Sequence, residues 1–315
     1  MAYKIFIDGK EGTTGLRIAD RFKNRSDIEL LEISEEKRKD PEERKKLINA
    51  SDYTFLCLPD AAAIEAVSLV ENDHTKIIDA STAHRTNPDW GYGLPELSRQ
   101  HREAVAQSKR TAVPGCYASG FNTLMYPMVK SGICAPFQPV VCHAISGYSG
   151  GGKKLIADYE NPERDTAFDS TRQYAMGKTH KHIKEMMAVS GLSYPPAFCP
   201  LTASFYNGMS VNIPLLLRTL NKKVTARDVW EMMAEHYEGQ HFVKVMPFGG
   251  EGMEEETALF SNRLADTNML QIFVYGNEDH ILLTSRLDNL GKGASGAAVQ
   301  CMNIMMGIDE KTGLE

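Results

Sequence analysis

The first hydrophobic run, "YKIFID" over residues 3–8, is short and almost unbroken, so it predicts a buried strand and not a helix. It stops at Gly9. Gly12 and Gly15 follow at intervals of three, and "LRIADRF" from Leu16 carries its apolar residues at helical spacing. The same alternation recurs along the first third of the chain. "IELLEI" at 28–33, "YTFLCL" at 53–58 and "KIIDAS" at 76–81 each read as a strand closed by a turn, and "PDAAAIEAVSLV" at 59–70 reads as a helix. Such alternation predicts parallel strands joined by right-handed crossovers. The fold class is therefore α/β, a Rossmann-like doubly wound parallel sheet with its ligand at the strands' carboxyl ends.

The glycine turn suggests what that ligand is. Glycines let a backbone pass close to a pyrophosphate, while free amides and the dipole at a helix start attract its charge. Gly9, Gly12, Thr13, Thr14 and Gly15 are the candidate cofactor contacts. Their spacing is GxxGxxG, not the better-known GxGxxG, and a plain strand-to-helix connection is the alternative. The end of the second strand bears on the choice of cofactor, because enzymes that use NAD carry an acid there for the ribose hydroxyls. Here Ser34, Lys37 and Arg38 could receive a 2′-phosphate, which favours NADP(H). Glu32, Glu35 and Glu36 stand among them, and the basic residues could equally be surface charges.

Composition narrows the classes of partner. A chain of 315 residues, 42% hydrophobic and 24% charged, has room for two ordinary cores. Its net charge of −6 argues against nucleic acid or an anionic membrane and for a small-molecule substrate. No apolar run reaches the roughly 20 residues that cross a bilayer, and "MAYKIFIDGKEG" lacks the regions of a signal peptide, so a cytoplasmic location is expected. The dense charge run "SEEKRKDPEERKK" at 34–46 predicts the solvated face of a loop and short helix. Six cysteines stand without CxxC pairs or zinc spacing, which predicts free thiols and no metal site.

Of these cysteines, Cys116 in "VPGCYASGFNTL" stands out. Pro114 and Gly115 punctuate the chain, so Cys116 should sit at or near the start of the helix covering "SGFNTLMYPMV", where amides and dipole lower a thiol's pKa. The same amides can stabilise an oxyanion formed beside it. A nucleophilic thiol needs a proton-transfer partner, and "GKTHKHIKEM" at 177–186 offers His180 and His182. Two exposed polar residues at a helix start, or half a metal site, are the alternatives. "AISGYSGGGKK" at 144–154, with Ser146 and Gly147, could hug an anionic group or form a flexible surface loop. Cys57, Cys142 and Cys301 lie in apolar contexts and read as core residues.

Several blocks together, "IIDASTAHRT", "YGLPELS", "VPGCYASG" and "NLGKGASGAAVQCMNIMMGIDEKTGL", resemble the shorter type of the N-acetyl-gamma-glutamyl-phosphate reductases of arginine biosynthesis. The matching blocks run in family order from Ile7 to Leu314. Two departures stand out. Where the family has Thr two residues beyond the Tyr of Pro-Gly-Cys-Tyr, this chain has Ser119, which keeps a hydroxyl. The family's His-Arg-His-x-Pro-Glu block is "HKHIKE", with Lys181 for Arg and Lys184 for Pro; the histidines and Glu185 remain, and which imidazole is catalytic stays open.

The resemblance implies NADPH-dependent reduction of N-acetylglutamyl phosphate to its semialdehyde through a Cys116 thioester, with His182 preferred for the proton and His180 as alternative or orienting neighbour. It implies Arg85 as a cation for the substrate's phosphate or carboxylate, with Ser119, Ser146 and Gly147 also at the substrate, and Asn289 beside the nicotinamide. It also implies a semialdehyde-dehydrogenase-like architecture. Residues 1–116 and 291–315 would form the cofactor domain, and 117–290 an α+β substrate and dimerisation domain. In that middle segment "VVCHAIS", "MSVNIPLLL", "QIFVYGN" and "HILLTSRLD" predict a mixed sheet with one face on helices and another for a second subunit, hence a homodimer or homotetramer. Aspartate-semialdehyde and aminoadipyl-phosphate enzymes share the chemistry; Gly115, where the former usually has Asn, speaks against it. From another class, a non-catalytic NADP(H)-binding sensor is the rival.

Overall fold

The computed structural model describes residues 2–177 and 179–315. They form two compact units, one of residues 1–115 with 294–315 and one of residues 116–293. No described helix is long and apolar enough to cross a membrane.

The first unit runs β1 (Tyr3–Asp8), α1 (Thr13–Phe22), β2 (Ile28–Leu31), α2 (Pro41–Ala50), β3 (Tyr53–Leu56), α3 (Asp60–Ser68), β4 (Lys76–Asp79), β5 (Gly91–Tyr92), α4 (Arg99–Gln107) and β6 (Arg110–Ala112). Its six-stranded sheet has the order β2-β1-β3-β4-β6-β5, and every neighbouring pair is parallel. The doubly wound expectation is therefore met, and the chain's direction of travel across the sheet reverses between β1 and β3, where such folds bind their ligands. Ile5, Phe6 and Ile7 are all buried, as an unbroken apolar strand in a parallel sheet requires. α1 buries Ile18, Ala19 and Phe22 on one stripe. The second, third and fourth strands each stop two residues earlier than the apolar runs that announced them, because the chain turns outward at the sheet's rim.

The charge run becomes a short 3₁₀ turn at Glu35–Lys37 and α2. α2 starts where Asp40 accepts the Glu42 amide at 2.9 Å and Pro41 takes the first helical position. One member of the run is not on the surface. Arg44 is buried and bonds Asp8 at 3.0 Å and Glu65 at 2.8 Å. Burial outweighs that cation at Asp8 and raises its carboxyl above the usual range.

The second unit runs α5 (Cys116–Lys130), β7 (Val141–Gly147), α6 (Gly152–Glu160), β8 (Arg172–Gln173), α7 (His182–Ser190), β9 (Ala197–Ala203), β10 (Met209–Leu216), α8 (Ala226–His236), β11 (Val243–Val245), β12 (Leu270–Gly276) and β13 (His280–Leu287). Its seven-stranded sheet, β11-β12-β13-β10-β7-β9-β8, mixes parallel and antiparallel pairs. α5 lies flush on this sheet because Gly120 has no side chain: a Cβ there would stand 2.6 Å from Ser285 Oγ and 2.7 Å from Val211. Pro127 cannot donate to the Thr123 carbonyl one turn back, and the Tyr237 hydroxyl bonds that carbonyl at 2.8 Å instead. The helix thus runs on past its proline. α7 packs against it, and Met186, Phe198, Val211 and Leu283 belong to the core they share with the sheet.

After a π-helical turn at Gly291–Ser295, α9 (Gly296–Met306) belongs to the first unit, where it packs on α4 and β4. Buried Arg25 ties down the segment beyond it, donating to Asn303 at 3.1 Å and the Thr312 carbonyl at 3.0 Å.

Candidate active site

The first unit makes a tight glycine turn after β1. Gly9 has a φ of +84°, and a Cβ on it would stand 2.4 Å from the Cys57 carbonyl oxygen. A Cβ on Gly15 would meet the Gly9 oxygen and the Lys10 Cα at 2.7 Å. The Gly12 amide closes the turn onto the Gly9 oxygen at 3.0 Å. α1 then begins at Thr13 and Thr14 with no side chain capping its first amides. Those amides are donors of the kind an anion satisfies. Gly15→Ala should therefore weaken binding of a dinucleotide cofactor at least tenfold, about 1.4 kcal/mol, with a smaller loss of stability; fluorescence titration and a melting curve measure the two.

Beside the turn lies a cavity of about 230 Å³ lined by Gly9, Lys10, Leu31, Glu32, Arg38 and Leu58, among others. Glu32 is paired with Lys10 at 2.7 Å. Of the three residues expected at a 2′-phosphate, Arg38 lines this cavity; Ser34 and Lys37 do not, and Lys37 is held by Glu43 at 3.2 Å. Lys39 also lines it, a contribution the sequence reading did not single out.

Farther along the same unit, Arg85 spans two backbone oxygens, Val113 at 2.8 Å and Ala80 at 3.0 Å. Its loop is braced by buried Asp79, which bonds Ser81 Oγ at 2.7 Å and His84 Nδ1 at 2.6 Å. The His84 ring stacks flat on Trp90 with centroids 4.0 Å apart.

In the second unit Cys116 is the first residue of α5 and is half-buried. Gly293 presses on it so closely that a Cβ there would stand 2.7 Å from the Cys116 Cβ. The next residue, Tyr117, is the hub of an aromatic cluster. Its ring lies 5.8 Å from His180, 5.9 Å from His182 and 5.2 Å from Phe198, and its hydroxyl accepts from Tyr174 at 3.0 Å. The two histidines are thus gathered around the residue that follows Cys116, their own rings 4.7 Å apart.

The two imidazoles differ in situation. His182 is buried and opens α7. His180 uses Nδ1 to accept the His182 backbone amide at 3.2 Å, so the neutral ring carries its proton on Nε2. Burial, aided by the charge of Lys181, pushes the His180 pKa down to about 4. It is a neutral ring at pH 7.

Ser146 and Gly147 end β7, and the loop after them is knitted to Asn289. The Asn289 amide donates to Ser149 Oγ at 2.9 Å and accepts the Gly208 amide at 2.8 Å. Ser119 is fully buried on α5. The sequence reading missed Tyr117, Tyr174 and Lys292; the last is entirely buried, its ammonium 5.7 Å from the Phe242 ring. Cys57, expected in the core, is partly exposed because it stands just past the end of β3, and Cys199 is partly exposed as well; three other thiols contrast with Cys116. Cys134, Cys142 and Cys301 are fully buried, and burial pushes Cys134 up to about 12 and raises Cys142 as well.

Comparison with known proteins agrees with this division. A family model described as semialdehyde dehydrogenase, NAD binding domain, matches residues 4–105, and one described as semialdehyde dehydrogenase, dimerisation domain, matches residues 116–289. An N-acetyl-gamma-glutamyl-phosphate reductase 2 from Nostoc sp. is 46% identical over 99% of both chains. A protein of that name from Pseudomonas putida is 44% identical over 96% of both, and the Brucella ovis N-acetyl-gamma-glutamyl-phosphate reductase is 43% identical over 98% of this chain and 100% of its own. Among solved structures, the aspartate semialdehyde dehydrogenase of Francisella tularensis superimposes with a TM-score of 0.71 at 15% identity, covering 97% of this chain and 100% of its own. Aspartate semialdehyde dehydrogenase II of Vibrio cholerae, complexed with ASA, gives 0.70 at 12%, covering 98% and 99%.

Proposed function

Because the chain belongs to the N-acetyl-gamma-glutamyl-phosphate reductase family of semialdehyde dehydrogenases, we propose that it reduces N-acetyl-L-glutamyl 5-phosphate to N-acetyl-L-glutamate 5-semialdehyde and phosphate, with NADPH as reductant. The single observation that carries the chemistry is Cys116 at the first position of α5, beside a residue around which two histidines are packed. The Cys116 thiolate attacks the γ-carbonyl carbon, the C–O bond to phosphate breaks, and a thioester remains on the sulfur. The first amides of α5 face the charge that develops on the carbonyl oxygen. When bound, the nicotinamide cofactor supplies a hydride to the thioester carbon. The oxyanion so left re-forms the C=O bond as the C–S bond breaks, and His182 returns to the departing Cys116 sulfur the proton it accepted when the thiolate formed.

The cradle at Gly9–Gly15 suits a pyrophosphate, since both glycines leave room only for backbone and α1 offers uncapped amides. NADPH is favoured over NADH because Arg38 and Lys39 line the neighbouring cavity, while Glu32, the acid available for ribose hydroxyls, is occupied by Lys10. A homodimer or homotetramer fits the sheet face turned away from the core, where Val141 and Leu282 are exposed on the same side. A cytoplasmic site of action follows from a soluble cofactor and substrate. Assayed in reverse, the protein should reduce NADP⁺ beyond a single turnover per active site only when N-acetylglutamate semialdehyde and phosphate are both present. Equal turnover with aspartate semialdehyde would overturn the substrate assignment.

A further inference from the structure

Hydroxyls inside helices ordinarily bond a backbone carbonyl one turn back, and others in this unit do so. Thr123 Oγ1 donates to the Ser119 oxygen at 3.1 Å and the Gly120 oxygen at 2.9 Å, and Ser190 Oγ donates to the Met186 oxygen at 2.6 Å. Ser119 does not follow them. Its side chain is fully buried on α5, and its Oγ has no hydrogen-bond partner among the described residues. A buried hydroxyl without a partner costs stability, so its retention calls for a partner that arrives at another stage of the protein's work.

Its position says which partner. Cys116 lies three residues earlier on α5, and residues so spaced are neighbours on one helix face, with Cβ atoms about 5–6 Å apart. Oγ and Sγ each reach out from their Cβ atoms, so a choice of staggered χ1 rotamers on the two side chains brings them within hydrogen-bonding distance. We infer that the Ser119 hydroxyl is a hydrogen-bond donor held for the Cys116 thiolate. The inference rests on reading Cys116 as the nucleophile. No bond to Ser119 is made or broken: the thiol proton leaves for a base, and the serine keeps its own while sharing it with sulfur. A donor to the charged form favours that form and lowers the thiol's pKa.

Other ionisable groups stand on the segments that meet this turn. They are Tyr117 and Tyr174, which both feel charge on Cys116, His180, His182 and Glu185 at the start of α7, and Asp288 and Lys292 in the loop that brings Gly293 onto the cysteine. Ser119→Ala leaves all of them in place, so a change in thiol titration reports the hydroxyl.

The test is the rate of Cys116 alkylation by iodoacetamide against pH in the full chain, located by mass spectrometry, for wild type and Ser119→Ala, with a melting curve for each. Ser119→Ala should react about tenfold more slowly at neutral pH, its profile shifted up by about one pH unit, with a melting temperature equal to or above wild type. An unchanged alkylation profile overturns the inference even where turnover falls, since the hydroxyl then serves the substrate. A fall in melting temperature also overturns it, by giving the hydroxyl a structural role. If wild-type Cys116 is not alkylated at all, the nucleophile reading fails first and the inference falls with it.

Discussion

Cys116→Ser should lower turnover by roughly 10⁴-fold or more, while NADPH binds as tightly as in the wild type. The substitution changes one atom at the first position of α5 and leaves the helix, the Gly293 contact and the Tyr117 cluster in place. Sulfur is what the mechanism needs. A thiol of ordinary pKa near 8.5 already has some thiolate at neutral pH, and a helix start raises that fraction, whereas a serine hydroxyl has essentially no anion to offer. A thioester is also readily reduced and cleaved, and an oxygen ester is not. NADPH affinity is spared because the residues proposed to hold its phosphates, Gly9 to Gly15, belong to the first unit. Stopped-flow turnover and a fluorescence titration separate the two effects, and a variant that still turns over would remove Cys116 from the chemistry.

The histidine pair gives the second large effect. His182→Asn should lose about 10²–10⁴ in kcat, the usual worth of a positioned acid-base group. His180→Asn should stay within about an order of magnitude of wild type, because an asparagine oxygen accepts the amide two residues on, as His180 Nδ1 does at His182. His180→Phe keeps the aromatic packing but not the acceptor, and should be the worse of the two. With its pKa pushed down to about 4, His180 is already neutral where the enzyme works, so the pH profile of kcat/KM near neutrality should survive His180→Asn. The stability curve moves the other way. An unfolded histidine titrates near 6.5, so the unfolded chain binds more protons than the folded one between about 6.5 and about 4, and wild-type stability falls as pH drops through that window. His180→Asn should flatten that fall. Inactivity of His180→Asn alone, with His182→Asn still turning over, would transfer the proton to His180.

Much of the first unit was legible because its signals are local. An unbroken apolar strand, a glycine turn and an amphipathic helix are contiguous in β1 to α1, and each element's period survives in a single window. The very short strands β5 and β8 carry no such pattern and exist because neighbours offer a ladder edge. At the site, Cys116 announced itself by the Pro-Gly break before a helix, but its surroundings could not. Gly293 reaches the cysteine from the far end of the second unit, and Tyr117 reads from sequence as one more aromatic residue in a helix. Charge was equally opaque. Nothing local distinguishes Lys37, tied to Glu43, from Arg38, which lines the cavity, or reveals that Arg44 is buried against Asp8. Partners of that kind come from other elements, which only the folded chain brings together.

The thioester itself can be isolated by running the reaction backwards without phosphate. Mixed with N-acetylglutamate semialdehyde and NADP⁺ alone, the protein should release a burst of NADPH equal to its active sites and stop, with an N-acetylglutamyl group on Cys116 by mass spectrometry; added phosphate should discharge that group and restart turnover. A phosphate-free reaction with no burst, or an acyl group on any residue other than Cys116, would contradict the account.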